Sequence, residues 1–354
     1  VPFRAGNILT AAKQNTGAVV KEMKLEQNSV EDRSGKFRVW LESYGAFIAL
    51  NIACAAFALA DPGTFLTPTN LRTILDQSAV PVIIVCGLTF VILIGSIDLS
   101  TEGVLAASSL TFVLLSSNSR NAIDLGIGAF WVALGVGALF GLLSGLLQTR
   151  LRIPSFMVSL GLWFIGLGVG TVLYGSDVPV LTSEESRNWV SASNLGVSNA
   201  VLLAAFMVAV SWIISGYTRM GRFAYAIGTN EAIARLNSIP VGRYKVLIFV
   251  YAGFCISVAA IIASCRLGVG TPDVGSGQLF LTTAAVIVGG TPLSGGRGGI
   301  LQSVCGVFLL IVISNGLILI GASPITQQAM SGLIIVTAVV LTGYRQRDLL
   351  RVVK

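Results

Sequence analysis

Residues 298–344, GGILQSVCGVFLLIVISNGLILIGASPITQQAMSGLIIVTAVVLTGY, contain no Asp, Glu, Lys or Arg. A bilayer core about 30 Å thick is crossed by roughly 20 apolar residues in a helix, so this one stretch is long enough for two crossings. Gly321, Ser323 and Pro324 supply the turn between them, because proline donates no hydrogen bond and disfavours helix at the residue before it. A water-soluble domain has no place for such a run.

Working outward, further charge-free stretches cover residues 44–60, 77–97, 103–119, 125–149, 153–176, 188–218, 246–265 and 274–296. Composition agrees: of 354 residues, 54% are hydrophobic and 11% charged, where a soluble domain carries about 25% charged residues. The expected fold is an all-α polytopic membrane protein with about ten transmembrane helices, the eighth short and broken by glycine. The membrane domain spans residues 44–344. Residues 1–43, polar and mixed in charge, lack a signal-peptide cleavage pattern and read as a flexible cytoplasmic tail, and residues 345–354 as a second tail.

With the first residues placed in the cytoplasm, 19 of the 23 Lys and Arg fall in inside segments, including the loop 217–245, leaving only Arg72, Arg120, Arg187 and Arg266 outside. That bias sets the orientation, with both termini cytoplasmic. It also accounts for the net charge of +7 without any nucleic-acid surface.

The chemistry that is missing narrows the function. There is no histidine, which removes the commonest general base and metal ligand. The five cysteines, Cys54, Cys86, Cys255, Cys265 and Cys305, sit in apolar runs without CxxC spacing and read as buried thiols. A proton- or sodium-coupled transporter places titratable groups inside its spans, yet the only acids at a span junction are Asp98 and Glu102. The segment 289–298 lacks the Lys and hydroxyl of a phosphate-binding loop. The chain therefore reads as a solute-moving protein with no catalytic residue, no metal and no cofactor of its own.

Three segments stand out. Gly95-Ser96-Ile97-Asp98-Leu99-Ser100 closes an apolar run. Asp98 there can accept from N–H groups that open the next helix, and Glu102 suits that helix's positive end. Both acids are either such caps or part of a gate. Gly289-Gly290-Thr291-Pro292-Leu293-Ser294-Gly295-Gly296-Arg297-Gly298 holds too many glycines for a continuous helix. Irregular backbone cannot face lipid, so this segment either lines a watery route, as broken transporter helices do, or forms a tight helix crossing. In the loop 217–245, Asn230 is a good N-cap for a short helix ended before Pro240. Its spacing puts Ala232, Leu236 and Ile239 on one face and pairs Glu231 with Arg235 at i,i+4. A Gly-x-x-x-Leu-Ser pattern recurs at Gly95 and Gly289 without matching a five-plus-five division of the spans.

In this order and spacing, the three segments resemble the Gly-[Ile/Leu]-Asp-Leu-Ser, Gly-x-Asn…Arg-Leu-x-Gly-Ile and Gly-Gly-Thr-x-Leu-x-Gly-Gly-[Lys/Arg]-Gly signatures of permease subunits of ribose-type bacterial ABC sugar importers, the ribose, galactose and xylose class. The likeness runs from about residue 70 to residue 340. Thr101-Glu102 stands where that family usually has Val-Gly, and Ser238 replaces a usual glycine.

The resemblance implies import of a monosaccharide or related polyol across the bacterial inner membrane by alternating access. It implies a second permease chain, identical or related, a periplasmic sugar-binding protein, and partner ATPase subunits that bind ATP and Mg. It assigns ATPase coupling to Gly228, Asn230, Glu231, Ala232, Arg235, Leu236 and Ile239. Translocation or gating falls to Gly95, Asp98, Leu99, Ser100, Gly289, Gly290, Pro292, Leu293, Ser294, Gly295 and Gly296. A secondary transporter or a passive channel for a small neutral solute is the alternative.

Overall fold

The computed structural model describes residues 45–194 and 196–323, with residues 325, 326, 329, 330, 332, 333 and 336 beyond them. The two expected tails, Pro324 of the expected turn and most of the expected tenth span lie outside these. The chain divides into two compact units, Val1–Gly45 and Ala46–Lys354. The helices below belong to the second, apart from the first residue of α1.

In chain order the helices are α1 (Gly45–Ala60), α2 (Pro62–Phe65), α3 (Pro68–Leu93), α4 (Thr101–Leu115), α5 (Ile127–Arg150), α6 (Ser155–Tyr174), α7 (Glu184–Ser191), α8 (Asn199–Tyr217), α9 (Arg219–Thr229), α10 (Glu231–Leu236), α11 (Val241–Leu267), α12 (Gln278–Val288) and α13 (Ile300–Leu319). A 3-10 turn covers Pro272–Gly275, and a two-residue hairpin, β1 (Ser193–Asn194) with β2 (Val197–Ser198), precedes α8. Among the described residues six helices, α3, α5, α6, α8, α11 and α13, are long and apolar enough to cross a membrane, and α1 and α4 are shorter apolar helices. With α12, nine of the ten expected spans hold a helix among the described residues.

Two limits moved from their expected places. α3 begins at Pro68 rather than near residue 77, because Thr67 caps it, accepting from Asn70 N–H, and Pro68 fits the first turn, where no N–H is needed. It stops at Leu93, so residues 94–100 are not helical. The run 274–296 is helical only over Gln278–Val288.

Burial separates centre from periphery. In α3, 83% of the most apolar window is buried, and in α11 67%, against 28% in α6 and α8. α3 and α11 form the core, and α5, α6 and α8 turn much of their apolar surface outward, as lipid-facing helices do. α11 binds α5 closely through small residues. Cβ atoms on Gly137, Gly141 and Gly145, spaced four apart, would strike the α11 backbone or Ser257, which is the small-residue packing that lets membrane helices approach. Hydroxyl pairs fasten α4 to α11, Ser108 to Ser257 at 2.9 Å and Ser264 to Ser109 at 2.7 Å. Asn70 and Asn315 exchange amide hydrogen bonds of 3.1 and 2.9 Å between α3 and α13.

One end of the bundle gathers the four basic residues expected outside. Arg120 donates to Leu173 O and Tyr174 O, Arg266 to Asp76 O, Arg187 packs over Gly268, and Arg72 approaches Gly196. Segments 117–119, 179–182 and 268–270 hydrogen-bond together at the same end.

Candidate functional site: a junction of three glycine segments

α3 ends in a left-handed glycine stop. Ile94 N–H bonds Phe90 O, Gly95 N–H bonds Ile92 O, and Ser96 N–H reaches back to Val91 O, with Gly95 at φ +70°. α12 ends in the same way. Gly289, Gly290 and Thr291 N–H bond Ala285 O, Ile287 O and Val286 O, with Gly290 at φ +104°. These are one motif, in which glycine's freedom at positive φ satisfies the last carbonyls of a helix. The recurring Gly-x-x-x-Leu-Ser pattern thus marks two equivalent helix stops, although the residues that correspond are Gly95 and Gly290.

The two stops touch. Gly296 N–H donates to Leu93 O at 2.9 Å. A Cβ on Gly95 would lie 3.2 Å from Ser294 O, and one on Gly295 only 2.6 Å from both Leu93 O and Gly95 N. The third segment closes on the same point. A Cβ on Gly228, near the end of α9, would overlap Leu93 O and fall 2.5 Å from Gly296 N, while one on Gly296 would fall 2.9 Å from Thr229 Cα. Tyr225 O–H adds a bond to Gly298 O at 2.9 Å. All three sequence segments therefore meet at the carbonyl of Leu93, a main-chain group with no sequence signal of its own.

Around this node, Ile97 N–H donates to Ser155 Oγ at 3.1 Å, and Asp98 is 4% exposed. Asp98 departs from its expected capping role. Its Oδ1 accepts from Ser100 N–H at 2.8 Å and Ser100 O–H at 2.6 Å, shaping the turn before α4 rather than holding the donors of its first turn. Leu99 is half-buried beside buried Ser100, and Pro292 is half-buried while Leu293 and Ser294 are exposed on the 289–299 loop. Glu102 does sit in the first turn of α4, but its carboxylate caps a different helix, accepting from Gly277 and Leu279 N–H at the start of α12.

α10 hangs directly from the node. Asn230 caps it, Oδ1 accepting from Ile233 N–H at 3.1 Å. The expected Glu231–Arg235 pair is present at 2.6 Å, and Lys245 of α11 joins at 2.7 Å. Partial burial raises the Glu231 pKa, but the bonds and charges of Lys245 and Arg235 outweigh it and hold the carboxyl below its ordinary range. The expected apolar face needs one correction. Ala232 and Leu236 are exposed, Leu236 by 84%, but Ile239 packs against the core and Ile233 is exposed in its place. Ile239 turns inward because Ser238 adopts φ +59°, so that Ile239 N–H bonds Ala234 O and closes the helix end. Lys245, Tyr225, and Gly103 against Gly166 were not singled out in the sequence. Gly137, Gly141 and Gly145 were also missed, although their spacing of four was legible.

Residues 70–339 match the family model described as branched-chain amino acid transport system / permease component. The chain is similar to the ribose import permease of Escherichia coli strain K12, 32% identical over 87% of this chain and 96% of the relative. It is also similar to the D-allose transport system permease of the same strain, at 29% over 90% and 97%, and to its galactose/methyl galactoside import permease, at 30% over 87% and 96%. No solved structure matches significantly.

Proposed function

The chain belongs to the branched-chain amino acid transport system / permease component family, and from that premise we propose that it carries a monosaccharide or related polyol inward as one of two permease chains worked by separate ATPase subunits. It is a membrane-spanning transport subunit of the inner membrane. Support for the cargo comes from the relatives named as ribose import, D-allose transport system and galactose/methyl galactoside import permeases. Those relatives also disfavour a secondary transporter or a passive channel. Ten spans with both termini cytoplasmic fit the distribution of Lys and Arg and the grouping of Arg72, Arg120, Arg187 and Arg266 at one end of the bundle. A periplasmic sugar-binding protein delivers the cargo on this reading, and ATP and Mg belong to the ATPase.

The observation that carries the reading is α10. Its inner side is fixed by buried Ala234 and by the Glu231–Lys245 pair, while Ala232, Ile233 and Leu236 stand exposed on a loop otherwise rich in charge. A rigid apolar tip continuous with the node at Leu93 suits a groove on an ATPase, and closure of the ATPase pair would then push on both helix breaks. Leu236→Asp and Ile233→Asp bury an unpaired charge in that groove, which costs several kcal/mol, and 1.4 kcal/mol is already tenfold in affinity. Both variants should lose the co-purified ATPase, or lose uptake while hydrolysis continues. Wild-type ATPase recovery and uptake in both variants would overturn the coupling role.

A further inference from the structure

Glu102 lies where two half-length helices begin. Its Oε1 accepts from Gly277 N–H at 3.0 Å and Leu279 N–H at 3.4 Å, while Oε2 has no partner among the described residues. The depth of this carboxylate follows from α6. Gly103, the next residue, packs on the backbone of Trp163 and of Gly166, at the centre of the span Ser155–Tyr174. From that level the 15 residues of α4 cover only about 22 Å, toward the end of the bundle that holds Arg120 and Arg187. The start of α12 is at the same level, since Gly275 packs on Glu102 Cα and on Leu105. Glu102 is thus a half-buried carboxylate near mid-depth.

Unpaired polar atoms lie on residues next to it in the chain and on the helices it joins. Thr101, wholly buried, precedes it in the chain, and Thr101 Oγ1 has no hydrogen-bond partner among the described residues. The same holds for Gln278 Oε1, between the two residues that donate to Glu102, and for Trp163 Nε1, on the helix against which Gly103 packs. Buried polar atoms without a partner are few in a native protein and call for a reason. On the open side, Ser276, Gly277 and Phe280 are exposed. Non-helical backbone at that depth does not face lipid, so this surface belongs to a watery route or to the partner permease. Two helix N-termini supply positive partial charge to the carboxylate, so a ligand here need not be a cation. Oε2 offers an acceptor, and the neighbouring residues carry a further acceptor at Gln278, a donor at Trp163 and a hydroxyl at Thr101, the group types that bind the hydroxyls of a neutral sugar.

We propose that Glu102 is a cargo-contacting, specificity-determining residue, its Oε2 accepting a hydroxyl hydrogen from the sugar as it passes the cleft between the starts of α4 and α12. Thr101, Gln278 and Trp163 come within reach as that cleft opens. The proposal rests on the sugar-import reading above. Its test uses the intact permease with its ATPase in proteoliposomes, supplied with saturating loaded binding protein so that the rate reports passage. D-Ribose, D-allose, D-galactose and their single-deoxy analogues are the probes. The wild type should favour one sugar over at least one of its deoxy analogues by about tenfold. Glu102→Gln, which keeps an oxygen for Gly277 and Leu279, should bring that ratio near one. Thr101→Val, which removes only an unpaired hydroxyl, should lower the ratio as well. Unchanged ratios in both variants, or a loss of rate that is equal for every probe, would overturn the role of Glu102 while leaving sugar import standing. No passage of any sugar by the wild type would overturn the import reading and this proposal with it.

Discussion

Replacing Gly228 by alanine adds a single methyl group at the point where the three glycine segments meet. That methyl would overlap Leu93 O, fall 2.5 Å from Gly296 N and lie 3.0 Å from Gly296 Cα. All three atoms are main chain, so no side-chain rotation relieves the contact, and α9 must withdraw from α3 and from the 289–299 loop. Overpacking of this kind costs about 1–3 kcal/mol. Separation also breaks the Gly296 N–H to Leu93 O bond, at about 1 kcal/mol. The total of about 2–4 kcal/mol shifts the closed junction by roughly 30-fold to 1,000-fold. Gly168→Ala is the matched control, since a Cβ there meets nothing within 4 Å inside α6 and helix propensity favours alanine by about 1 kcal/mol. Apparent unfolding temperature in detergent and sugar uptake in vesicles would be measured on both. Gly228→Ala should lower the first and abolish most of the second, while Gly168→Ala lowers neither. Equal behaviour of the two variants would show that the packing at Leu93 bears no load.

Two further outcomes follow from α10. Ser238 holds φ +59°, which glycine adopts without strain, so Ser238→Gly should stabilise the loop by about 0.5–1 kcal/mol, read as slower hydrogen exchange at Ile239, and unchanged or faster exchange would contradict the strain argument. The Glu231 carboxyl is held below its ordinary value of 4.5, so its contribution is present above that pH and is lost as pH falls through the lower folded value. A fluorophore at position 237 should then report a loop tighter in the wild type than in Glu231→Gln at pH 7, with the difference vanishing under strong acid; a difference that grew on acidification would reverse the assignment.

How much of this was legible in sequence depends on the kind of interaction. Charge-free runs mark where apolar helices form, since burial in lipid acts on each residue separately, and all nine runs hold a helix among the described residues. Helix ends depend on local chemistry, and where the signal was strong, as at Asn230, the limit was read correctly. At Thr67-Pro68 the same signal was present, but Arg72 and Asp76 made the first turns look like loop. Ile239 was misplaced because the helix period was carried past its end, and a left-handed Ser238 rotates everything after it. The partner of Glu102 was out of reach in principle, because 175 positions separate it from Gly277 and no pattern in either segment names the other.

The node at Leu93 gives the arrangement its mechanical sense on the proposed reading. A helix stop leaves carbonyls that must be satisfied, and within a membrane no water does so. Leu93 O solves this by accepting from Gly296, which belongs to the other stop. Each break is therefore a condition for the other, and neither can shift alone without stranding a polar group. Gly228 is pressed against both, and only two residues separate it from the start of α10. A displacement at Leu236 thus reaches the starts of α4 and α13 through main-chain contacts alone. A Cβ at Gly228, Gly295 or Gly296 would strike the main chain of a neighbouring segment and force these contacts apart, which is the physical reason for glycine at all three positions.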